Sequence, residues 1–250
     1  MSRIRFVVLV ILIMGSFPAY GLNVGTCVFV ILQKLSYRFA PKADLEKEIA
    51  SVEGATTKLV SDFQDTDQKF DNKYFLALKN LGRNYAQLRR LYSIAYRRSI
   101  IPYRCVPLKN TYLGESHVEE DMEASLVYYI PPENRDDYRV RVAGDGKLYR
   151  GNANHPLDTE GNELFVMSVY GDIYIGKGYY EGVDYSLHHS SFLMGQPVAS
   201  AGILKVDDGK IIFINNGSGH YRPSQEHNEQ LIHKLRNSGY DTRGLVVLKQ

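Results

Sequence analysis

The sequence has no tryptophan and only two cysteines, Cys27 and Cys105, among its 250 residues. Two thiols cannot build a multi-bridge scaffold, nor complete a zinc site alone. Cys27 lies inside an apolar run, so a buried free thiol and a pairing with Cys105 both stay open. A surplus of one charge is also missing. The 30 Lys and Arg nearly cancel the 28 Asp and Glu, leaving +2. Bulk electrostatics therefore give no case for nucleic acid as a partner. There are no internal repeats and no low-complexity tracts. The glycine runs Gly144-Asp145-Gly146 and Gly176-Lys177-Gly178 lack a following helix, which excludes phosphate-binding loops. His227 and His233 do not share a helix face. Asp65, Asp67 and Asp71 lack the glycine and terminal glutamate of a calcium loop. No metal site is read from the sequence.

What is present is an ordinary globular composition, 44% hydrophobic, with 19 tyrosines. Tyrosine suits half-buried sheet faces and binding surfaces equally, so it does not choose a function. At the start, Arg3 and Arg5 precede an apolar run from Phe6 to Met14. Ala19 and Gly21 then stand at signal-peptidase spacing. Residues 1–21 read as a signal peptide. The competing reading joins this run to a second one, Val24 to Leu32, as a membrane anchor of roughly 20 residues. Residues 22–40 are then an apolar and basic linker or anchor. Membrane contact is expected only through this segment, and the body is expected to be secreted or periplasmic.

Residues 41–101 read as a helical hairpin or one long bent helix, with Asp44 as cap. Leu45, Ile49, Val52, Thr56, Leu59 and Phe63 form its first apolar stripe, at alternating steps of four and three. Gln64 to Lys69 reads as a turn. The stripe resumes from Phe70 to Ala95, and the region ends in a basic cluster, Arg83, Arg89, Arg90, Arg97 and Arg98, with Leu88 to Arg98 basic and amphipathic. A basic amphipathic helix of this kind binds calmodulin or acidic membranes, or is simply a solvated face. Pro102 and Pro107 open a linker, 102–127, whose acidic residues Glu119 to Glu123 read as solvated. From 128 to 250 the texture is short strands and turns, with hairpins at Asp145-Gly146, Gly171-Asp172 and Asp208-Gly209. A helix from Ser224 to Asn237 and an apolar strand at Leu245 to Leu248 follow. The fold class is α+β: an N-terminal helical segment, then a mostly antiparallel sheet domain with a C-terminal helix.

Two segments flank the Asp208-Gly209 hairpin. One is His188-His189-Ser190-Ser191-Phe192-Leu193. The other is Ser218-Gly219-His220-Tyr221-Arg222-Pro223-Ser224. The hairpin should bring them together. His189, Ser190, His220 and Tyr221 are candidate catalytic residues, and Ser191, Ser218, Arg222 and Arg150 candidate ligand-binding residues. Nucleophile–base pairs and anion sites need these groups. The bland alternative is a buried polar lock between hairpin and helix.

These two segments resemble the signature of the plant IQ-motif-containing (IQM) calmodulin-binding proteins. The Ala201-Gly202 step, Tyr129-Ile130, Asp145-Gly146-Lys147-Leu148 and Phe165-Val166 follow the same order. The resemblance spans roughly residues 128 to 248. It implies an IQM-like core that engages a protein target, of a kind also met in bacterial toxin-like proteins. Calmodulin does not carry over: around Gln87 the arginine required by an IQ motif is Leu91. With the export pattern, this points to a secreted effector- or toxin-like protein. Two alternatives stand beside it. One is an enzyme: Leu148-Tyr149-Arg150-Gly151 and Ser190-Ser191 resemble elements of NAD-using ADP-ribosyltransferases, but no catalytic glutamate follows Gly202. A hydrolase with His189 or His220 as base is the other enzymatic form. The last alternative is an extracytoplasmic structural module. No cofactor is fixed by any of them.

Overall fold

The computed structural model describes residues 40–64, 72–115, 126–179, 181 and 185–248. The signal-peptide and anchor readings, the turn after Gln64, the Asp65–Asp71 triad and the acidic stretch 119–123 fall outside the described residues, as does Cys27.

The first helix, α1 (Lys42–Gln64), buries Leu45, Ile49, Val52, Thr56, Val60 and Phe63. The one polar member of the stripe, Thr56, satisfies its hydroxyl by donating to the Val52 carbonyl at 2.6 Å. The helix starts before Asp44, which therefore supplies first-turn negative charge rather than the cap. The second helix, α2 (Asn72–Arg97), packs against the first. Across the pair Gln87 donates to Glu48 at 2.9 Å and Tyr92 to Glu53 at 2.5 Å. Leu88, Leu91, Tyr92 and Ala95 are all buried. The apolar face of the basic stretch Leu88–Arg98 is thus spent inside the protein, and a calmodulin or membrane surface cannot use it.

The remaining strands are β1 (Leu126–Val127), β2 (Arg139–Val142), β3 (Leu148–Arg150), β4 (Glu163–Met167), β5 (Ile173–Gly176), β6 (Tyr185–Ser186), β7 (Ser200–Asp207), β8 (Lys210–Asn215) and β9 (Val246–Leu248), with helix α3 (Gln225–Asn237) before the last. Seven strands form one mixed sheet in the order β3-β2-β5-β4-β7-β8-β9. Every pairing in it is antiparallel except β8 with β9. The α+β class holds, with helices first, a mostly antiparallel sheet and a helix near the C-terminus. The short strands β1 and β6 pair separately, in parallel.

Both sheet faces are covered. Val166, Tyr174 and Ala201 face a core that also holds Val60 of α1 and Leu81 and Tyr85 of α2. Phe165, Met167, Ile175, Leu204 and Val206 face the other way, onto Leu231 and Leu235 of α3. Strand alternation dictates this division, because neighbouring side chains leave a strand on opposite faces. The β7–β8 turn has positive φ at both Asp208 (43°) and Gly209 (73°), the geometry of a primed hairpin turn. It docks back on the edge strand β3, where Leu148 N–H donates to the Gly209 carbonyl at 2.9 Å. Residues 41–250 form one compact unit. The segment read as a linker belongs to it: Tyr103 and Leu108 are buried, and Val106 bridges to Val198. Pro102 and Pro107 stop the helix without detaching the chain from the core.

Leu81→Ala should therefore destabilise the whole unit, by about 2–5 kcal/mol for a large core side chain truncated to alanine. Chemical denaturation followed by both helical and tyrosine signals should give one shifted transition. Two transitions, with the sheet signal unmoved, would show that the helices do not share its core.

Candidate functional site

The two histidine-bearing segments do converge, but through one histidine that sequence reasoning did not choose. His188 and His189 find different partners. His189 is buried, and its Nε2 lies 2.9 Å from the Gly202 carbonyl on β7. Burial pushes its pKa down to about 4; neighbouring His220 and His188 act the same way, and the bond to Gly202 opposes them. It is a neutral imidazole serving as a polar strut. His188 points instead to His220, with Nδ1 3.1 Å from His220 Nε2.

The third member is Glu115. Its Oε2 lies 2.7 Å from His220 Nε2 and 3.9 Å from His188 Nδ1. Tyr129 donates to its other oxygen, Oε1, at 3.1 Å. Burial raises the pKa of Glu115, but the imidazoles of His188 and His220 and the nearby Ser190 hydroxyl outweigh it and hold the carboxyl at about 2. Glu115 is thus a buried carboxylate, ionised under any ordinary condition. Accessibility grades outward: the side chains of Glu115, His220 and His188 are 8%, 13% and 36% exposed.

Local structure explains the assembly. Lys109 N–H donates to the His220 carbonyl at 3.0 Å, which ties the segment leading to Glu115 onto the turn after β8. The Tyr112 ring lies on the His220 ring, 4.0 Å between centroids. Gly114, at φ 82°, turns the chain inward at Glu115. On the other side, His188 N–H donates to Ser191 Oγ at 2.9 Å and Ile130 N–H to the Ser191 carbonyl at 2.9 Å.

The other candidate residues divide as follows. Ser190 is fully buried; its Oγ makes no well-formed hydrogen bond among the described residues, although it stands beside Glu115. Ser191 is consumed by the loop. Tyr221 is buried and donates to the Gln196 carbonyl at 2.9 Å, and Ser218 Oγ accepts from Tyr221 N–H at 3.4 Å. Arg222 is exposed and has positive φ, 46°. Arg150 is not part of the constellation. It pairs with buried Glu163 at 2.7 Å, in a cleft of about 530 Å³ lined also by Asp136, His155, Asp158 and Lys177. Its cleft contains neither Ser190 nor Ser191, so the arginine and serine elements that resemble a transferase do not share a pocket. Glu115 carried no legible signal, being one acidic residue in a stretch with no motif. No metal site was read from the sequence, yet Glu115, His188 and His220 bring three ligating atoms within 4.8 Å of one another.

Comparison with known proteins fits this core. Residues 134–228 match the IQ motif-containing protein middle domain. The chain is 31% identical over 136 residues to the IQ domain-containing protein IQM3 of Arabidopsis thaliana, covering 51% of this chain and 28% of that protein. It is 33% identical over 122 residues to IQM5 of the same plant, covering 47% and 23%. For IQM2 the figures are 31% over 126 residues, 48% and 20%. This chain spans about a quarter of the length of these curated relatives. No solved structure matches it. The core is IQM-like. His188 and His220 lie inside the matched segment and Glu115 outside it.

The Ala201-Gly202 step has a steric reason. A Cβ on Gly202 would stand 2.0 Å from the Asn215 carbonyl oxygen and 2.8 Å from Phe165. Gly202→Ala should cost at least about 1–3 kcal/mol, the usual range for overpacking. Thermal denaturation measures it, and an unchanged melting temperature would contradict the close approach of β7 and β8.

Proposed function

We propose that this chain is an exported, effector- or toxin-like protein whose IQM-like core engages a protein target. The observation that carries the binding reading is the uncovered sheet edge. Val246, Val247 and Leu248 of β9 are 50%, 38% and 49% exposed, and Ile212 on neighbouring β8 is 46% exposed. No described strand pairs with the outer side of β9. An apolar edge strand of this kind offers backbone groups and side chains together to an extended partner segment. The relatives are IQ domain-containing proteins, which fits a protein-interaction role. Export rests on the basic-then-apolar start of the sequence.

The enzymatic reading has less support. His189 is a buried strut, Tyr221 is engaged with Gln196, and Ser190 is sealed from solvent. A substrate cannot reach a nucleophile there. What favours chemistry is the Glu115–His220 pair beneath partly exposed His188, an orienting carboxylate on a histidine.

A photocrosslinking residue placed at Val247 in the exported protein should yield a discrete adduct with one protein. The same residue at exposed Asp241 should not. Equal labelling from both positions, or none, would remove the edge as a docking strand. By titration calorimetry, the full chain should show no binding to calmodulin with or without Ca²⁺. The exported form should begin near Leu22 by mass spectrometry, and a full-length membrane-retained species would replace the signal peptide with the anchor.

A further inference from the structure

The geometry points to a binding site for a divalent transition-metal ion of the zinc class, formed by Glu115, His188 and His220. The donor set is one carboxylate and two imidazoles, the chemistry such ions take with one position left open. The ligating atoms lie within 4.8 Å of one another, at separations of 2.7, 3.1 and 3.9 Å. Tetrahedral bonds of about 2.0–2.1 Å place neighbouring ligands about 3.3 Å apart. The three separations differ from that value by about 0.6 Å or less, a shift that side-chain rotation supplies.

Proton counting strengthens the case. His220 Nε2 faces both Glu115 Oε2 and His188 Nδ1. A ring nitrogen carries at most one proton, so every tautomer leaves one proton shared between two acceptors, two N–H groups face to face, or a lone pair facing a lone pair. A cation at the centre satisfies all three lone pairs at once.

The surroundings are built for holding ligands in place. Tyr129 fixes the free oxygen of Glu115 at 3.1 Å, Ser186 Oγ lies 3.4 Å from the outer nitrogen of His188, and Tyr112 stacks on His220. Such partners orient ligands and set the coordinating nitrogen. The fully buried Ser190 hydroxyl stands beside Glu115 and favours its charged form. Partly exposed His188 marks the entry side, where the remaining position would take water or a ligand oxygen. The site does not depend on the target-binding reading, and a failed crosslink from β9 leaves it standing.

The test uses the full chain stripped with a chelator and then given zinc. One zinc per chain should survive desalting, and the melting temperature should rise with zinc concentration. Cobalt substituted at the site should give the visible absorption of a low-coordinate centre. His188→Ala and Glu115→Gln should each lose affinity by at least the roughly 10–100-fold that even outer partners are worth. His233→Ala, on the exposed side of α3, should change nothing. Should a variant fail to fold, nitrogen NMR of the wild-type histidines decides: zinc must shift His188 Nδ1 and His220 Nε2. Absence of stoichiometric zinc, wild-type affinity in both ligand variants, or shifts confined to His155, His227 and His233 would overturn the site.

Discussion

The protein depends on burying an irregular loop. Residues 187–199 run through the space between the sheet and the helical pair, and nearly all of them are buried. A buried loop cannot leave its carbonyls to water, and it has no ladder to satisfy them. Backbone N–H groups such as those of Ile130 and Val106 do part of that work, and tyrosine hydroxyls do it at two more carbonyls. Tyr85 reaches from α2 to the Met194 carbonyl at 2.5 Å, and Tyr221 to the Gln196 carbonyl at 2.9 Å. Burial raises the pKa of both phenols, so they stay neutral donors. Met194 holds a left-handed conformation at φ 52°, and Gly195 follows at φ 72°. A side chain at Gly195 would strike the Tyr85 hydroxyl at 2.4 Å. The helices are therefore fastened to the sheet domain by polar bonds as well as by apolar contact.

That fastening also creates the histidine–carboxylate cluster. The 102–115 segment must follow the loop along Val106–Val198 and Lys109–His220 before it can deliver Glu115. Three stretches far apart in the chain supply one group each. The cluster is consequently a product of tertiary assembly, and only the two histidine-bearing stretches fall in the segment that matches the IQ motif-containing protein middle domain.

Much of the fold was legible in the sequence because local chemistry agreed with the global result. Asp208-Gly209 marked its hairpin by turn preference alone. The α1 stripe named five of its six buried residues, missing only that Val60 and not Leu59 turns inward. Ser224 was readable as the cap of α3, where its backbone N–H donates to His227 Nδ1 at 3.2 Å. What was not legible had no local signature. The parallel placement of β9 depends on α3 docking. The membership of 102–115 in the core depends on long-range bridges that prolines conceal. In the candidate site, the paired histidines were visible but their assignment was not, since nothing in the string says which of two adjacent loop residues meets Glu115 and which meets Gly202. Glu115 was invisible because a single carboxylate acquires meaning only from what surrounds it.

The parallel pairing of β8 with β9 also sets β9 apart, because it needs a crossover through α3. Antiparallel neighbours can close through short turns as soon as they are made. β9 is reached only across α3, which seats Leu231 and Leu235 on the sheet. It has the fewest buried side chains of any strand in the sheet, with all three residues exposed. The last strand of the sheet is thus also the first to fray. A partner that pairs with it would meet a fluctuating edge and complete the sheet in the act of binding.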